Sequence, residues 1–217
     1  MYDALKLEHE VRDPIYGFIR FTNDEKKLIA TPFFQRLRYI RQLGTTFMIY
    51  PSAQHSRFEH SLGVMELATR IYVTIIQKAE KEMNRRLPTE AEKKDSLRLL
   101  RYAALCHDMG HLPFSHSAEK IAGRKKHENL SLLVIREKLA GLWKILGLTE
   151  EQVTKIAKYA LGPEKWPGDM NDWEILVSDI ITGDVFGADR MDYLLRDSLH
   201  LGVAYGRFDH HRLVDCL

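Results

Sequence analysis

The sequence predicts an all-α protein with a short N-terminal β-hairpin, and three observations support this. Apolar residues after Asn23 recur at spacings of three and four, the period of an amphipathic helix. Ser/Thr-x-x-Glu/Gln patterns, typical of helix starts, stand at Thr89 and Thr149. The segment at 97–110 is apolar on more than one face, as expected of a central helix in a bundle.

The N-terminal region is the part that favours β structure. Residues 15–21 alternate around Gly17 and include Ile, Tyr and Phe, which is typical of a short strand. We expect this strand to pair with residues 5–11 across Asp13-Pro14, so that residues 1–22 form a hairpin appended to a helical core at 23–217.

The helices follow in order along the rest of the chain. The first long helix should begin near His60, because Val64, Leu67, Ala68, Ile71, Tyr72 and Ile75 form one apolar stripe. Residues 81–95 look like a connection, with a capping box for a short helix at Thr89 and Glu92.

The central helix follows this connection and ends at His107 and Asp108. We expect further helices at 128–146 and from Thr149, and then a break at 161–174, which contains two prolines and two glycines. A last helix over 188–200 should stop at Gly202.

Composition bounds the function. The 217 residues carry a net charge of +2, so bulk charge gives no strong nucleic-acid signal and no membrane signal. Cys106 and Cys216 form no CxxC pair, which suits a reducing compartment, and we interpret Cys106 as a small buried apolar residue. With no spanning apolar run and no signal-peptide core, we expect a single-domain cytoplasmic protein.

The segment CHDMGHLPFSH carries the strongest chemical signal. It places His107, His111, His116 and Asp108 at the end of an apolar helix, where polar groups cost free energy unless something binds them. Imidazoles and carboxylates are good ligands for Mn, Fe, Zn or Ni. The alternative is that these residues are satisfied core or capping residues.

Two further segments extend this signal. His60 opens an amphipathic helix in RFEHSLGV. In GADRMDYLLRDS, Asp189, Tyr193 and Asp197 recur every four residues and share one helical face. Such a face is also consistent with simple solvation, so it does not identify a site by itself.

Five motifs in this order resemble a known family. FQRLRYIRQLG, HSRFEHSLGV, LCHDMGHLPFSH, the pair His127-Glu128 and GADRMDYLLRDS extend over about residues 33–206. They resemble HD-domain metal-dependent phosphohydrolases, and most closely the dNTP triphosphohydrolases, both the dGTPase-like bacterial enzymes and the catalytic core of the SAM- and HD-domain dNTP hydrolase.

The resemblance implies a divalent metal ion (Mn, Mg, Fe, Zn or Ni) held by His60, His107, Asp108 and Asp189. It also implies that water attacks the α-phosphorus of a deoxynucleoside triphosphate, releasing deoxynucleoside and inorganic triphosphate. The acid–base residues implied are His111, His116, His127 and Glu119, and which histidine donates the proton is left open.

The same resemblance implies substrate contacts and a preference. Arg57 and Arg190 would bind phosphates, Gln42 and Asp197 would bind a 3′-hydroxyl, and Tyr193 would exclude a 2′-hydroxyl. It further implies dNTP or dGTP as substrate, with guanine preferred, and a homo-oligomer. The family is usually longer than this chain, so the chain is either a natural minimal version, a C-terminally truncated form or part of a longer polypeptide; we expect a complete metal site and leave the base pocket open.

Two other functions remain compatible with these residues. One is a nucleotidase or phosphodiesterase that acts on another nucleotide through the same metal site. The other is a nucleotide-binding regulator that has lost catalysis. The products released from different nucleotides would separate all three.

Overall fold

The helical prediction is confirmed by the computed structural model, which describes residues 5–82, 88–114 and 127–217. In chain order the helices are α1 (Asn23–Ile29), α2 (Pro32–Gln35), α3 (Arg57–Glu82), α4 (Glu90–Cys106), α5 (His127–Leu133), α6 (Ala140–Ile145), α7 (Glu150–Leu161), α8 (Asp172–Thr182), α9 (Ala188–Leu201) and α10 (His210–Asp215). Short 3-10 turns occupy Arg36–Tyr39 and Thr46–Met48.

The predicted hairpin is present with shifted bounds. Strands β1 (His9–Asp13) and β2 (Gly17–Phe21) pair antiparallel, with Asp13 opposite Gly17. The prediction that the strands start at residues 5 and 15 is therefore wrong: they start at His9 and Gly17. Asp13 Oδ1 accepts the backbone N–H groups of Ile15 (2.8 Å) and Tyr16 (3.0 Å), which bends these residues into the turn.

The core lies where the long helices meet. Helix α3 packs against α4, α8 and α9, while α4 also packs against α7, and α7 against α8. Most of α4 is buried from Leu97 onwards, as expected for a central helix, and Cys106 is fully buried. No helix in the described ranges is long and apolar enough to cross a membrane.

Two helix starts differ from the predictions. Helix α3 begins at Arg57, three residues before His60. The Thr89–Glu92 capping box is confirmed, but it opens one continuous helix to Cys106 instead of a separate short one. Lys93 ties the start of this helix to α3, because its largely buried side chain binds Glu90 in α4 (2.8 Å) and Glu80 in α3 (2.5 Å).

The helix predicted over 128–146 is interrupted. A π-helical turn at Val134–Lys138 separates α5 from α6, with the Leu139 N–H bonded to the Val134 carbonyl at 3.0 Å. The indole N–H of Trp143 donates to the Ile135 carbonyl at 2.7 Å. This bond occupies a carbonyl that a regular helix would use for its own backbone.

Helix α8 was not predicted. Its start is set by Asn171 and Glu174, which form a capping box inside the segment that we expected to be a break. The other predicted ends are confirmed: Thr149 and Gln152 cap α7, and Gly202 ends α9 in the left-handed conformation (φ +72°).

Candidate metal centre and active site

Three helix ends bring the four predicted metal ligands together. His60 lies in the first turn of α3, His107 and Asp108 directly follow α4, and Asp189 lies in the first turn of α9. Ligand atoms of His60, His107 and Asp108 lie within 4.8 Å of one another. Asp189 Oδ1 is 3.0 Å from His60 Nε2 and 3.8 Å from His107 Nε2.

Both histidines are oriented by the nitrogen that faces away from this cluster. The Nδ1–H of His60 donates to Asp192 Oδ2, and that of His107 donates to the Ala104 carbonyl, each at 2.7 Å. Their Nε2 atoms therefore face Asp108 and Asp189. His107 Nε2 is buried with no hydrogen-bond partner among the described residues, which is the environment that a metal ion would satisfy.

The electrostatics also fit a cation. Burial alone would lower the pKa of His60, but its hydrogen bonds to Asp189 and Asp192 outweigh burial and raise the pKa to about 10. Burial likewise opposes protonation of His107, and Asp108 and Asp189 raise its pKa. A divalent ion would take the place of these imidazole protons among the carboxylates.

Arg57 is part of this cluster. Its guanidinium is buried and pairs with Asp108 Oδ2. Burial would raise the pKa of Asp108, but Arg57 and the histidines at 107 and 111 hold it well below the usual range. Arg57 therefore places positive charge at the edge of the predicted metal site.

A second histidine pair lies beside Asp108. His111 Nε2 is 3.3 Å from Asp108 Oδ1, and the His111 ring stacks on His127 with centroids 3.8 Å apart. Burial lowers the pKa of His111 to about 4 despite the attraction of Asp108, so its ring is neutral near pH 7. Glu128 is 3.5 Å from His127 Nδ1. The predicted residues His116 and Glu119 lie outside the described residues.

Ser131 and Gly110 hold the helix that carries His127 against the histidine–aspartate pair. Ser131 Oγ accepts the Gly110 N–H (2.9 Å) and donates to the His107 carbonyl (2.8 Å). A Cβ atom on Gly110 would lie 2.1 Å from the His127 carbonyl oxygen. Only glycine permits this approach.

The predicted sugar-binding residues meet at His55. His55 Nε2–H donates to Asp197 Oδ1 at 2.7 Å, while its backbone carbonyl accepts the Gln42 N–H at 3.0 Å. Gln42 Oε1 is buried and has no hydrogen-bond partner within the described ranges. A buried amide oxygen without a partner is suited to accept a hydrogen bond from a hydroxyl group of a bound molecule.

The two other predicted substrate residues lie on α9 with Asp189. Tyr193 is half-buried and lies one turn from Asp189 and one from Asp197, on the same face. Arg190 is more exposed, and its guanidinium binds the carbonyl and carboxylate of Asp184 in the loop before α9. It is less closely joined to the ligand cluster than Arg57.

Sequence reasoning missed four residues that support the site. His55 lies in the motif HSRFEHSLGV but received no role. Asp192 and Arg196 lie in the same helix as Asp189, and their four-residue spacing is the one sequence signal that the two side chains contact each other. Arg36 donates to the carbonyls of Met109 (2.8 Å) and His111 (2.6 Å), a contact that no sequence pattern reveals.

A buried cluster of His60, His107 and Asp108 at the ends of α3 and α4, with Asp189 beside it at the start of α9, can hold a divalent metal ion. The HD domain family matches residues 57–197, a range that contains all four predicted ligands and the histidines at 111 and 127. The chain belongs to the HD domain family.

Similar proteins share most of this chain. An uncharacterized protein of Methanocaldococcus jannaschii is 36% identical over 211 residues, covering 94% of this chain and 36% of its own. The deoxynucleoside triphosphate triphosphohydrolase SAMHD1 of Gallus gallus is 34% identical, covering 93% of this chain and 35% of its own.

A solved structure has the same fold. The crystal structure of a hypothetical protein from Aquifex aeolicus superposes with a TM-score of 0.75 at 40% identity, covering 95% of this chain and 50% of that one. The chain thus spans about a third of the length of the two curated relatives and half of this structure.

Proposed function

We propose that the protein is a metal-dependent phosphohydrolase that converts deoxynucleoside triphosphates to deoxynucleosides and inorganic triphosphate. The observation that carries this proposal is the arrangement along α9. Asp189 lies in the predicted metal cluster, and Asp197 binds His55, whose backbone carbonyl binds Gln42. These two aspartates are about 12 Å apart along the helix axis, so one nucleotide can extend from the cluster to a sugar-binding end.

The metal centre would consist of His60, His107, Asp108 and Asp189. A divalent ion bound there would lower the pKa of an attacking water and neutralise charge on the phosphoryl oxygens. Arg57 would add positive charge beside the phosphate, since its guanidinium already faces Asp108. Arg190, farther out, would bind the terminal phosphates.

His111 and His127 would serve in proton transfer to the leaving oxygen. In the proposed reaction the water oxygen bonds to the α-phosphorus, the bond from phosphorus to O5′ breaks, and O5′ takes up a proton. His111 is neutral near pH 7 because burial lowers its pKa to about 4, so it carries no imidazolium proton to donate to O5′. His127, stacked on it, would be the donor, with His116 and Glu119 as further predicted acid–base residues.

The sugar would be recognised at the other end of the α9 face. Gln42 and Asp197 would hydrogen-bond the 3′-hydroxyl, which donates to one acceptor oxygen, and Tyr193 would exclude a 2′-hydroxyl by its bulk. Preference for guanine, other nucleotide partners and a homo-oligomeric state belong to this proposal as predictions from the family. The similarity to SAMHD1, named a deoxynucleoside triphosphate triphosphohydrolase, supports the substrate class.

The decisive experiment incubates the chain with each dNTP and rNTP in Mn²⁺, Mg²⁺, Fe²⁺, Co²⁺ or Ni²⁺ and separates the products by ion-exchange chromatography. We expect deoxynucleoside and triphosphate from dNTPs, and much slower release from rNTPs. Single phosphate from simpler nucleotides, with no triphosphate from any dNTP, would identify a nucleotidase or phosphodiesterase instead. Tight nucleotide binding without turnover in any metal would identify a regulator.

Metal content tests the centre independently of substrate. We expect His107→Ala and Asp189→Ala to lose bound metal by elemental analysis and to lose activity by at least 10-fold, because each removes one predicted ligand. His211→Ala is the matched control, since His211 is exposed on α10 and its ring contacts that of His210. Full metal retention in both ligand variants would contradict the proposal.

A further inference from the structure

Asp192 is a buried carboxylate that the proposed reaction does not use. Its side chain is fully buried, and Oδ2 accepts the Nδ1–H of His60 at 2.7 Å. The carboxylate also accepts two hydrogen bonds from Arg196, one at each oxygen, both 2.9 Å long. A buried carboxylate held this way has a fixed orientation, because rotation would break charge-assisted bonds between two fully buried side chains.

Arg196 joins this carboxylate to the N-terminal hairpin. Its Nη1 donates to Asp13 Oδ2 at 2.9 Å, and both side chains are buried. Asp13 is the last residue of β1, and its other oxygen holds the backbone of the hairpin turn. A continuous buried chain of contacts therefore runs from the hairpin turn through Asp13, Arg196 and Asp192 to His60.

The surrounding fold leaves room for this chain of contacts. A Cβ atom on Gly63 would lie 2.0 Å from Asp192 Oδ1 and 2.4 Å from Arg196 Nη2. Gly63 lies on α3, one turn after His60. The same helix thus supplies the predicted metal ligand and the space for the carboxylate that orients it.

We propose that Asp192 is a positioning residue for the metal centre and that the N-terminal hairpin acts on the affinity of this centre through Asp13 and Arg196. Asp192 keeps the His60 proton on Nδ1, so that the Nε2 lone pair faces the metal position. Arg196 and Asp13 fix the carboxylate in turn. Partners of this kind behind a ligating histidine determine its ring orientation and its strength as a ligand. This inference rests on the proposed metal site.

A second buried arginine provides a matched control. Arg101 binds both oxygens of Glu25 (2.6 and 2.9 Å) and the carbonyl of Arg20 in β2 (2.9 Å). It ties the same hairpin to the core through a buried ion pair, and these partners lie in α1 and β2 and are not predicted metal ligands. Weakening this pair should cost stability without changing metal affinity.

The experiment measures Mn²⁺ binding to the metal-free chain by isothermal titration calorimetry. Asp192→Asn, Asp13→Asn and Glu25→Gln are compared with the unsubstituted chain, with urea unfolding of each. We expect Asp192→Asn to raise the Kd roughly 10- to 100-fold, Asp13→Asn to raise it by a smaller factor, and Glu25→Gln to leave it unchanged despite a loss of stability. Should Asp192→Asn fail to fold, Arg196→Lys replaces it, because lysine keeps the charge but loses the paired geometry.

Two results would overturn the inference. If Asp13→Asn and Asp192→Asn bind Mn²⁺ as tightly as the unsubstituted chain, Asp192 does not position His60. If only Asp192→Asn loses affinity, the hairpin does not act on the site. Failure of the proposed function appears differently, because His107→Ala would then bind Mn²⁺ as tightly as the unsubstituted chain.

Discussion

Gly110 controls how closely α5 approaches the histidine–aspartate pair. A methyl group there would lie 2.1 Å from the His127 carbonyl oxygen, 2.3 Å from the Ser131 backbone nitrogen and 2.8 Å from Ser131 Oγ. Two of these three atoms belong to the backbone, so no side-chain rotation relieves the contact. The stacked pair of His111 and His127 therefore depends on a residue that has no chemistry of its own.

We expect Gly110→Ala to push α5 away, lowering stability by roughly 1–3 kcal/mol and lowering kcat more than metal affinity. Gly141→Ala is the control, because a methyl group at Gly141 in α6 would meet nothing within 4 Å. That substitution should be neutral or slightly stabilising. Urea unfolding and steady-state kinetics check both variants, and equal effects at the two glycines would contradict the packing argument.

Arg36 connects the end of α2 to the segment that follows α4. It directly follows α2 and donates to the Met109 and His111 carbonyls, so it fixes the segment that leaves α4 after the histidine–aspartate pair. These carbonyls lie in the segment after α4, and a planar guanidinium supplies donors to both at once.

We expect Arg36→Lys to lower kcat by roughly 10-fold, because a lysine cannot hold both carbonyls and a small displacement of a catalytic group is costly. Metal content should be retained, since Arg36 contacts no predicted ligand side chain in the described structure. Arg12→Lys, whose arginine lies over the Phe18 ring in the hairpin, is the control. Unchanged kinetics for Arg36→Lys would show that the segment holds its position without the arginine.

The elements differ in how well the sequence predicted them. Local signals were reliable where one residue determines the backbone, as with the capping residues Thr89 and Thr149 and the terminal Gly202. Helix α8 was not predicted because the apolar run that follows Pro163 and Pro167 has no clear helical period. The π-helical turn at 134–138 involves the Trp143 indole, a contact that periodicity does not report.

At the scale of the molecule, the predicted metal ligands are brought together by three helices that are far apart in sequence. Crowding at His107 and Asp108 was visible in the sequence, whereas His60 and Asp189 were assigned from the family resemblance. Their buried partners, Asp192 and Arg196, were not predicted, because a four-residue spacing on a helix also describes an exposed ion pair. Burial is set by the whole fold, which local patterns do not specify.

The metal-free protein should lose stability as pH rises. The pKa of His60 is about 10 in the folded chain against 6.5 for the ordinary group, and that of His107 is also raised. Because the pKa of His60 is higher in the folded chain, its protonation stabilises the fold fully below pH 6.5. This contribution to the free energy of unfolding is lost as pH rises through 10. We expect a decrease on the order of 1–3 kcal/mol in the free energy of unfolding between pH 6.5 and 9.

Urea unfolding of chelator-treated protein across this range measures the effect. In His60→Gln the slope should be smaller, because the larger of the two shifts is removed. Stability that is constant or rises over the same range would contradict the assigned protonation. With metal present the trend should reverse, since the ion requires deprotonated imidazoles and binds better at higher pH.

The hydrogen bond between His60 and Asp189 joins residues 129 positions apart. An ion bound between these side chains would close a long loop of the chain as a reversible cross-link, and it could do so only after α3, α4 and α9 have docked. Binding would then add to the folding equilibrium by mass action, about 2.7 kcal/mol at a free ion concentration 100 times the Kd. Resistance to proteolysis would thus depend on metal supply, so a chelator would increase turnover of the chain even where no substrate is present.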